Sequence, residues 1–180
     1  MKTIAIVCGG DSSEHDVSMR SAEGIASFID SERYLIYKVE ICAGKWEAML
    51  PDGSRAMVCK DDFSFVVEGE RIRPDMCYIT IHGAPGENGE LQGYFDLIGM
   101  PYSTCGVLVE ALTYDKFVLN NYMRAFGVSV ADSLLVKIGH DKEVSDEDIV
   151  SRIGLPCFVK PSRGGSSFGT TKVKTVEALR

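Results

Sequence analysis

Three times along this chain an apolar run stops at a glycine-rich loop, and that recurring junction limits the fold more than any other feature of the sequence. Residues 2–8 run into Gly9-Gly10, residues 76–81 into His82-Gly83, and residues 157–160 into a loop that holds Gly164, Gly165 and Gly169. A short, unbroken apolar run bounded by glycine reads as a strand buried on both faces, the habit of parallel sheets. In open sheets of that kind ligands sit beyond the carboxyl ends of the strands. The same junctions therefore predict both a sheet and the place of a site. Glycine makes up 18 of the 180 residues, above the ~7% average, and much of the excess lies in these loops.

The segments between the junctions fit an α/β chain. Ser18 is placed to N-cap a helix on which Ala22, Ile25, Ala26 and Ile29 share one face at helical spacing. Residues 34–42 alternate and are rich in Ile, Tyr and Val, a second strand. Strand, loop, helix and strand in that order open a doubly wound sheet. Residues 43–75 are harder to read; residues 64–67 and 71–73, joined through Gly69, predict a small hairpin. Leu91, Tyr94, Phe95 and Ile98 keep helical spacing, and Gly99 and Pro101 end that helix.

From about residue 104 the organisation changes. Residues 115–126 predict a strong helix with Val118, Leu119, Tyr122, Met123 and Phe126 on one face, ended by Gly127. Residues 132–138 predict a strand. Ser145 caps a helix whose first turn is Asp146, Glu147 and Asp148, and which is expected to bury Ile149, Val150 and Ile153. Residues 170–173 predict a strand returning from the third glycine loop. Thr175 begins a last helix that runs for about one turn, short against the ~11–12 residues of a mean helix, as expected of a chain cut from a longer protein.

Charge and cysteine usage exclude several classes. The formal net charge is −7 with no long basic run, which argues against nucleic acid and anionic membrane as partners. No stretch approaches the ~20 apolar residues of a membrane span, and the apolar start is too short for a secretory leader, so the expectation is a cytoplasmic protein. Cys8, Cys42, Cys59, Cys77, Cys105 and Cys157 form no C-x-x-C pair. They are expected to be reduced and buried as small hydrophobes. With only His15, His82 and His140 besides, zinc spacing is missing, and no metal ligand is expected in this chain.

The loops carry the chemistry. The first, Gly9-Gly10-Asp11-Ser12-Ser13-Glu14, lacks the dinucleotide fingerprint but puts a carboxylate, Glu14, near the end of the first strand. Composition alone favours a solvated loop carboxylate there. His82, at the mouth of a strand, can donate to a carboxylate or a developing oxyanion, or be satisfied by backbone; spacing leaves the two about even. Glu87 and Asn88 are expected to hold the loop's turns and cap the next helix. The third loop, Lys160-Pro161-Ser162-Arg163-Gly164-Gly165-Ser166-Ser167-Phe168-Gly169, is not a Walker A sequence, because the lysine precedes the glycines. Its small residues can offer backbone N–H groups to phosphates, with Lys160 adding a point charge. Arg163 fits a phosphate contact or, better, a surface charge. Lys116 opposes the dipole at the start of its helix, which suits pairing with an anion as well as a snorkelling surface lysine.

Taken in order, Gly9-Gly10, Ser12-Ser13-Glu14-His15-Asp16-Val17-Ser18, His82-Gly83, Gly86-Glu87-Asn88-Gly89, Gln92-Gly93, Pro101-Tyr102-Ser103, Asp115-Lys116 and Lys160-Pro161-Ser162 through Ser166-Ser167 to Gly169 resemble the D-alanine–D-alanine ligases of the ATP-grasp superfamily over essentially the whole chain. Asn88 and Gly164 depart from the residues many relatives carry. The resemblance implies a doubly wound parallel-sheet N-terminal domain over residues 1–103, followed by the truncated first lobe of an ATP-grasp domain over 104–180. It implies ATP and Mg2+, with the metal ligands further along than residue 180, two D-alanine molecules as substrates, and a homodimer.

It also implies roles. Glu14 holds the ammonium of the first D-alanine, and His82 lies near its carboxylate and the acyl phosphate. Lys116 and Lys160 bind ATP phosphates; Gly165, Ser166, Ser167 and Gly169 belong to the loop that closes over them. Ser166 also joins the network with Glu14. A 180-residue chain alone is expected to be inactive. The alternatives are a D-alanine–D-lactate type of ATP-grasp ligase and a non-catalytic module that binds a small metabolite.

Overall fold

The computed structural model describes residues 1–137, 139 and 144–179. It divides into two compact units, Met1–Ala111 and Leu112–Arg180.

The first unit runs β1 (Lys2–Gly9), α1 (His15–Phe28), β2 (Tyr34–Cys42), β3 (Lys45–Met49), β4 (Arg55–Met57), β5 (Phe65–Val67), β6 (Glu70–Ile72), β7 (Met76–Ile79) and α2 (Glu90–Leu97). Its main sheet has the order β4-β3-β2-β1-β7. β1 lies parallel to β2 from Lys2↔Tyr34 to Gly9↔Ile41, and parallel to β7 from Ile4↔Met76 to Val7↔Ile79. β3 and β4 extend the sheet antiparallel. The parallel sheet expected from the apolar runs is thus the centre of a mixed one. β5 and β6 form the hairpin expected near residue 69.

Both faces of β1 are covered, which is why its sequence is continuously apolar. Side chains alternate across a strand, so Ala5 and Val7 join one core with Val39, Ile41, Cys77, Leu91 and Phe95. Ile6 and Cys8 join a second core with Ala22 of α1. Ile25, Ala26 and Ile29 pack on that second core, as the helical spacing predicts, and Met19 joins them. The first core is closed by Phe63, set edge-on to Phe95 at 5.0 Å. Such a pair adds about 1 kcal/mol beyond the area it buries.

Ser18 does not cap α1; the helix begins three residues earlier, at His15. The Ser18 hydroxyl is buried instead at the end of β1, accepting from the Gly9 N–H at 3.0 Å and meeting the Thr80 hydroxyl at 3.4 Å. Serine at this place closes the strand–helix junction rather than the helix end.

The division between the units falls within α3 (Val107–Tyr114), a helix without a clear period in the sequence. In the second unit lie α4 (Lys116–Ala125), α5 (Asp146–Arg152), β8 (Cys157–Val159) and β9 (Thr171–Val173), followed by a 3-10 turn at Val176–Leu179. β8 and β9 pair antiparallel, with Cys157 opposite Val173, and both of those side chains are buried. Ser145 forms the expected capping box with Asp148.

Two expectations fail in this unit. Residues 132–137 form no strand, and Ile138, where that strand was to end, lies outside the described residues. A strand needs a partner, and Arg124 instead takes the Ala131 carbonyl at 3.1 Å and the Asp132 carboxylate at 2.9 Å. α5 buries none of its residues, Val150 being 38% exposed. Its apolar spacing is real, but among the described elements only the 3-10 turn at Val176–Leu179 packs against it, and Ile149 and Ile153 stay half-buried.

Candidate functional site

In the first unit the site is dictated by the strand order. From β1 the chain crosses through α1 to β2 on one side, while the other parallel neighbour, β7, lies on the opposite side. A crevice opens at such a reversal, beyond the carboxyl ends of the two strands. The loops that leave β1 and β7 carry Glu14 and His82. Ser12 ties them: its hydroxyl donates to the His82 carbonyl at 2.7 Å and accepts from the Glu14 N–H at 3.1 Å. The Asp11 N–H donates to the Ala84 carbonyl at 3.1 Å. Glu14 is buried at the N-cap position of α1, yet its carboxylate does not cap the helix. A carboxylate at a helix N-terminus sits in a favourable field.

The loops can approach because two positions lack a side chain. A Cβ on Gly10 would come within 2.5 Å of Ile81 Cγ2, and one on Gly86 within 2.5 Å of Ile81 Cβ and 2.7 Å of the Ile81 carbonyl oxygen. Glu87 accepts the Gly83 N–H at 2.7 Å and Asn88 accepts the Glu90 N–H at 3.2 Å, the turn-holding duties expected of them. Beside Glu14, His15 Nε2 meets Glu40 Oε1 at 3.0 Å, and Glu40 also pairs with Arg55.

In the second unit a cavity of about 250 Å3 is lined by Lys116, Lys160, Gly164, Gly165, Ser166 and Ser167, with Phe158 and Phe168 among its apolar walls. The structure thus brings together the two lysines and most of the glycine–serine loop. Gly169 lies behind the lining, where a Cβ would meet Pro161 Cγ at 3.1 Å and φ is +66°. Ser166 and Ser167 are both left-handed, with φ of 47° and 59°. Consecutive left-handed residues other than glycine are strained, and such strain gathers at ligand clamps. The Lys116 ammonium donates to the Gly164 carbonyl. Asp115 caps α4 through the Val118 N–H and accepts from Ser162 and Arg163; Arg163 is a surface charge as expected, 74% exposed, and is paired with Asp115. Burial alone would raise the Asp115 carboxyl, but the hydrogen bonds from Ser162 and Val118 and the charge of Arg163 hold it below the usual range.

Of the sheet cysteines, Cys42 at the end of β2 is half-buried. Cys8 and Cys77 are buried, and burial pushes the Cys8 thiol up to about 12. Cys157 is buried too, whereas Cys59 and Cys105 are exposed, against expectation. Both lie in loops, where no sheet covers them.

Two family models account for nearly all of this chain: the D-ala D-ala ligase N-terminus matches residues 3–105, and the D-ala D-ala ligase C-terminus matches residues 122–180. The chain belongs to the D-alanine–D-alanine ligase family. The D-alanine–D-alanine ligase of Bacteroides thetaiotaomicron is 60% identical over 179 residues, 99% of this chain and 55% of its own length. The solved D-alanine–D-alanine ligase of Coxiella burnetii superposes with a TM-score of 0.86 at 28% identity, over 99% of this chain and 58% of its own. The VanG D-Ala:D-Ser ligase of Enterococcus faecalis does so with 0.83 at 30% identity, over 99% and 57%. The chain spans about half the length of the curated relatives it matches.

Several residues that build these two sites were given no role in the sequence, although Ser12, Gln92, Asp115 and Ser162 stand within its motifs. Ser12 and Thr80 act between the ends of β1 and β7, strands far apart in the sequence. Gln92, fully buried, donates to the Gly86 carbonyl at 2.6 Å and to Thr104 Oγ1 at 3.0 Å, pinning the His82 loop from below. A polar residue inside the apolar stripe of α2 was the available signal. Asp115 and Ser162 were visible only as neighbours of the lysines.

Proposed function

We propose that this chain holds the first-substrate pocket and the phosphate-binding wall of a cytoplasmic, ATP-dependent D-alanine–D-alanine ligase that supplies peptidoglycan precursors. On this reading residues 1–103 are the substrate-binding domain and residues 104–180 the first part of the ATP-grasp domain. The observation that carries it is the cavity of the second unit, where two cations from different elements face one small-residue loop. Lys116 and Lys160 supply the charge. The left-handed pair Ser166-Ser167 lines the same cavity and keeps the loop tight beside both lysines.

The chemistry needs little covalent participation from the protein. The carboxylate oxygen of the first D-alanine takes the γ-phosphoryl group of ATP, and ADP leaves. The amine of the second D-alanine attacks the acyl carbon, and the tetrahedral intermediate expels phosphate to leave the dipeptide. Two anions must approach each other, so positioning and charge neutralisation dominate. Glu14 takes the ammonium of the first D-alanine, and burial strengthens that pair. His82 faces the carboxylate as it becomes an acyl phosphate and donates to the developing charge. Lys116, Lys160, Gly165, Ser166 and Ser167 hold the phosphates, and Gly169 belongs to the loop that closes over them. Mg2+ would further neutralise the phosphates, but among the described residues no three His, Cys, Asp or Glu side chains gather into a metal site, so no step here runs through it. Among them, too, no helix is long and apolar enough to cross a membrane.

The product of the complete reading frame, given ATP, Mg2+ and D-alanine, is expected to release phosphate in step with the dipeptide. It is expected to behave as a homodimer in sedimentation, and the 180-residue chain alone to give no turnover. Phosphate release that ignores D-alanine would overturn the reading. A second amino acid other than D-alanine is a specific rival, because the D-Ala:D-Ser ligase superposes over the same stretch. Competition between D-alanine, D-serine and D-lactate across pH separates these.

A further inference from the structure

Asp115 does more than its place at the end of a helix requires. An N-cap needs one bond, and Asp115 has it: Oδ1 accepts from the Val118 N–H at 3.2 Å. The same oxygen accepts the Ser162 hydroxyl at 2.6 Å, and Oδ2 accepts Arg163 Nε at 3.0 Å. Both partners stand at the start of the glycine–serine loop, 47 and 48 residues further along the chain. The backbone follows the side chain. The Lys116 N–H donates to the Ser162 carbonyl at 2.9 Å, and the Phe117 N–H reaches Ser162 Oγ at 3.4 Å. The first turn of α4 is thereby laced to the loop that lines the cavity.

We propose that Asp115 is a positioning residue: it locks the 162–169 loop onto the N-terminus of α4, so that the ammonium groups of Lys116 and Lys160 face one phosphate-sized space. This rests on the reading of the cavity as a phosphate site. Lys116 sits in the first helical turn, where the dipole opposes a cation. The Asp115 carboxylate beside it offsets that cost. The Lys116 ammonium already spends one of its three donors on the Gly164 carbonyl. It can keep that bond and give another to a phosphate oxygen, so the loop need not be rebuilt when a ligand arrives. Asp115 itself is directed away from the ligand, because both its oxygens are occupied by the scaffold.

The test compares Asp115→Ala, Asp115→Asn and Ser162→Ala in the product of the complete reading frame. Asp115→Ala is expected to raise KM for ATP about tenfold, the scale of one charge-assisted hydrogen bond, while KM for D-alanine stays put. Asp115→Asn keeps an acceptor for Val118 and Ser162 and is expected to recover most of the loss. Ser162→Ala leaves the helix cap intact and is expected to raise KM for ATP with little change in melting temperature. Lowered melting temperatures with wild-type KM for ATP in Asp115→Ala and Ser162→Ala would overturn the proposal. Hydrogen exchange of the 164–169 amides gives a readout independent of activity. Faster exchange in Asp115→Ala and Ser162→Ala supports the lock, and unchanged exchange refutes it. A wild-type protein that releases no phosphate would defeat the functional reading alone, with the exchange rates still deciding the lock.

Discussion

Lys160 and Glu14 were legible in the sequence because each stands next to a glycine loop at the end of an apolar run. What could not be read was how each is held. Lys160 is exposed on the cavity wall, so replacing it should not disturb the core. Lys160→Ala is expected to lower kcat/KM for ATP roughly 10- to 100-fold, the range set by a charged hydrogen bond of about 1.5–3 kcal/mol. Steady-state kinetics with an unchanged melting temperature would check it. His15, to which the sequence assigned no role, pairs with Glu40 across the strand–helix junction. Its hydrogen bond with Asp16 raises its pKa above the usual 6.5; burial opposes that rise, and the hydrogen bond and charge of Glu40 add to it. A raised folded value means that the pairing stabilises fully below about 6.5 and is lost as pH rises through the folded pKa. An NMR titration should find His15 above 6.5 in the wild type and lower in Glu40→Gln. An unchanged His15 titration in that variant would contradict the pairing.

At the scale of elements, pattern and partner separate. β1, β2, α1 and α2 follow from apolar spacing because each buries its face within one unit. Residues 132–137 carry strand-like residues but find no strand to pair with, and spacing alone cannot supply a partner. β3 and β4 are short and half-exposed, so their alternation is faint. Glycines divide in the same way. Gly86 lies against Ile81 with no room for a methyl group, whereas a methyl group on Gly24, within α1, would meet nothing within 4 Å. Gly86→Ala is expected to destabilise the first unit by about 1–3 kcal/mol through overpacking. Gly24→Ala is expected to stabilise it by about 0.5–1 kcal/mol, since alanine orders a helix at lower entropic cost. Urea denaturation of the two variants should move the midpoint in opposite directions; a shift of the same sign would contradict the packing around Ile81.

At the scale of the molecule, the two units divide the labour. One places the loops that carry Glu14 and His82 at the reversal of strand order, and the other places two lysines beside a strained glycine–serine loop. Family membership follows from the order of the motifs together with matches over residues 3–105 and 122–180. The activity belongs to relatives about twice as long, and α4 carries a face that is only half covered, Val118 and Tyr122, with Phe126 just beyond the helix, each being 45% exposed or more. That face was read correctly as apolar from spacing, and its openness could not be read at all.

The most direct test of the central claim follows one oxygen atom. If the first D-alanine is activated as an acyl phosphate, D-alanine labelled with 18O in its carboxylate must pass one label to the phosphate that leaves. The product of the complete reading frame, turning over with ATP, Mg2+ and that substrate, is expected to release phosphate carrying 18O, one atom for each dipeptide formed. Unlabelled phosphate, with all the 18O retained in alanine and dipeptide, would contradict the account.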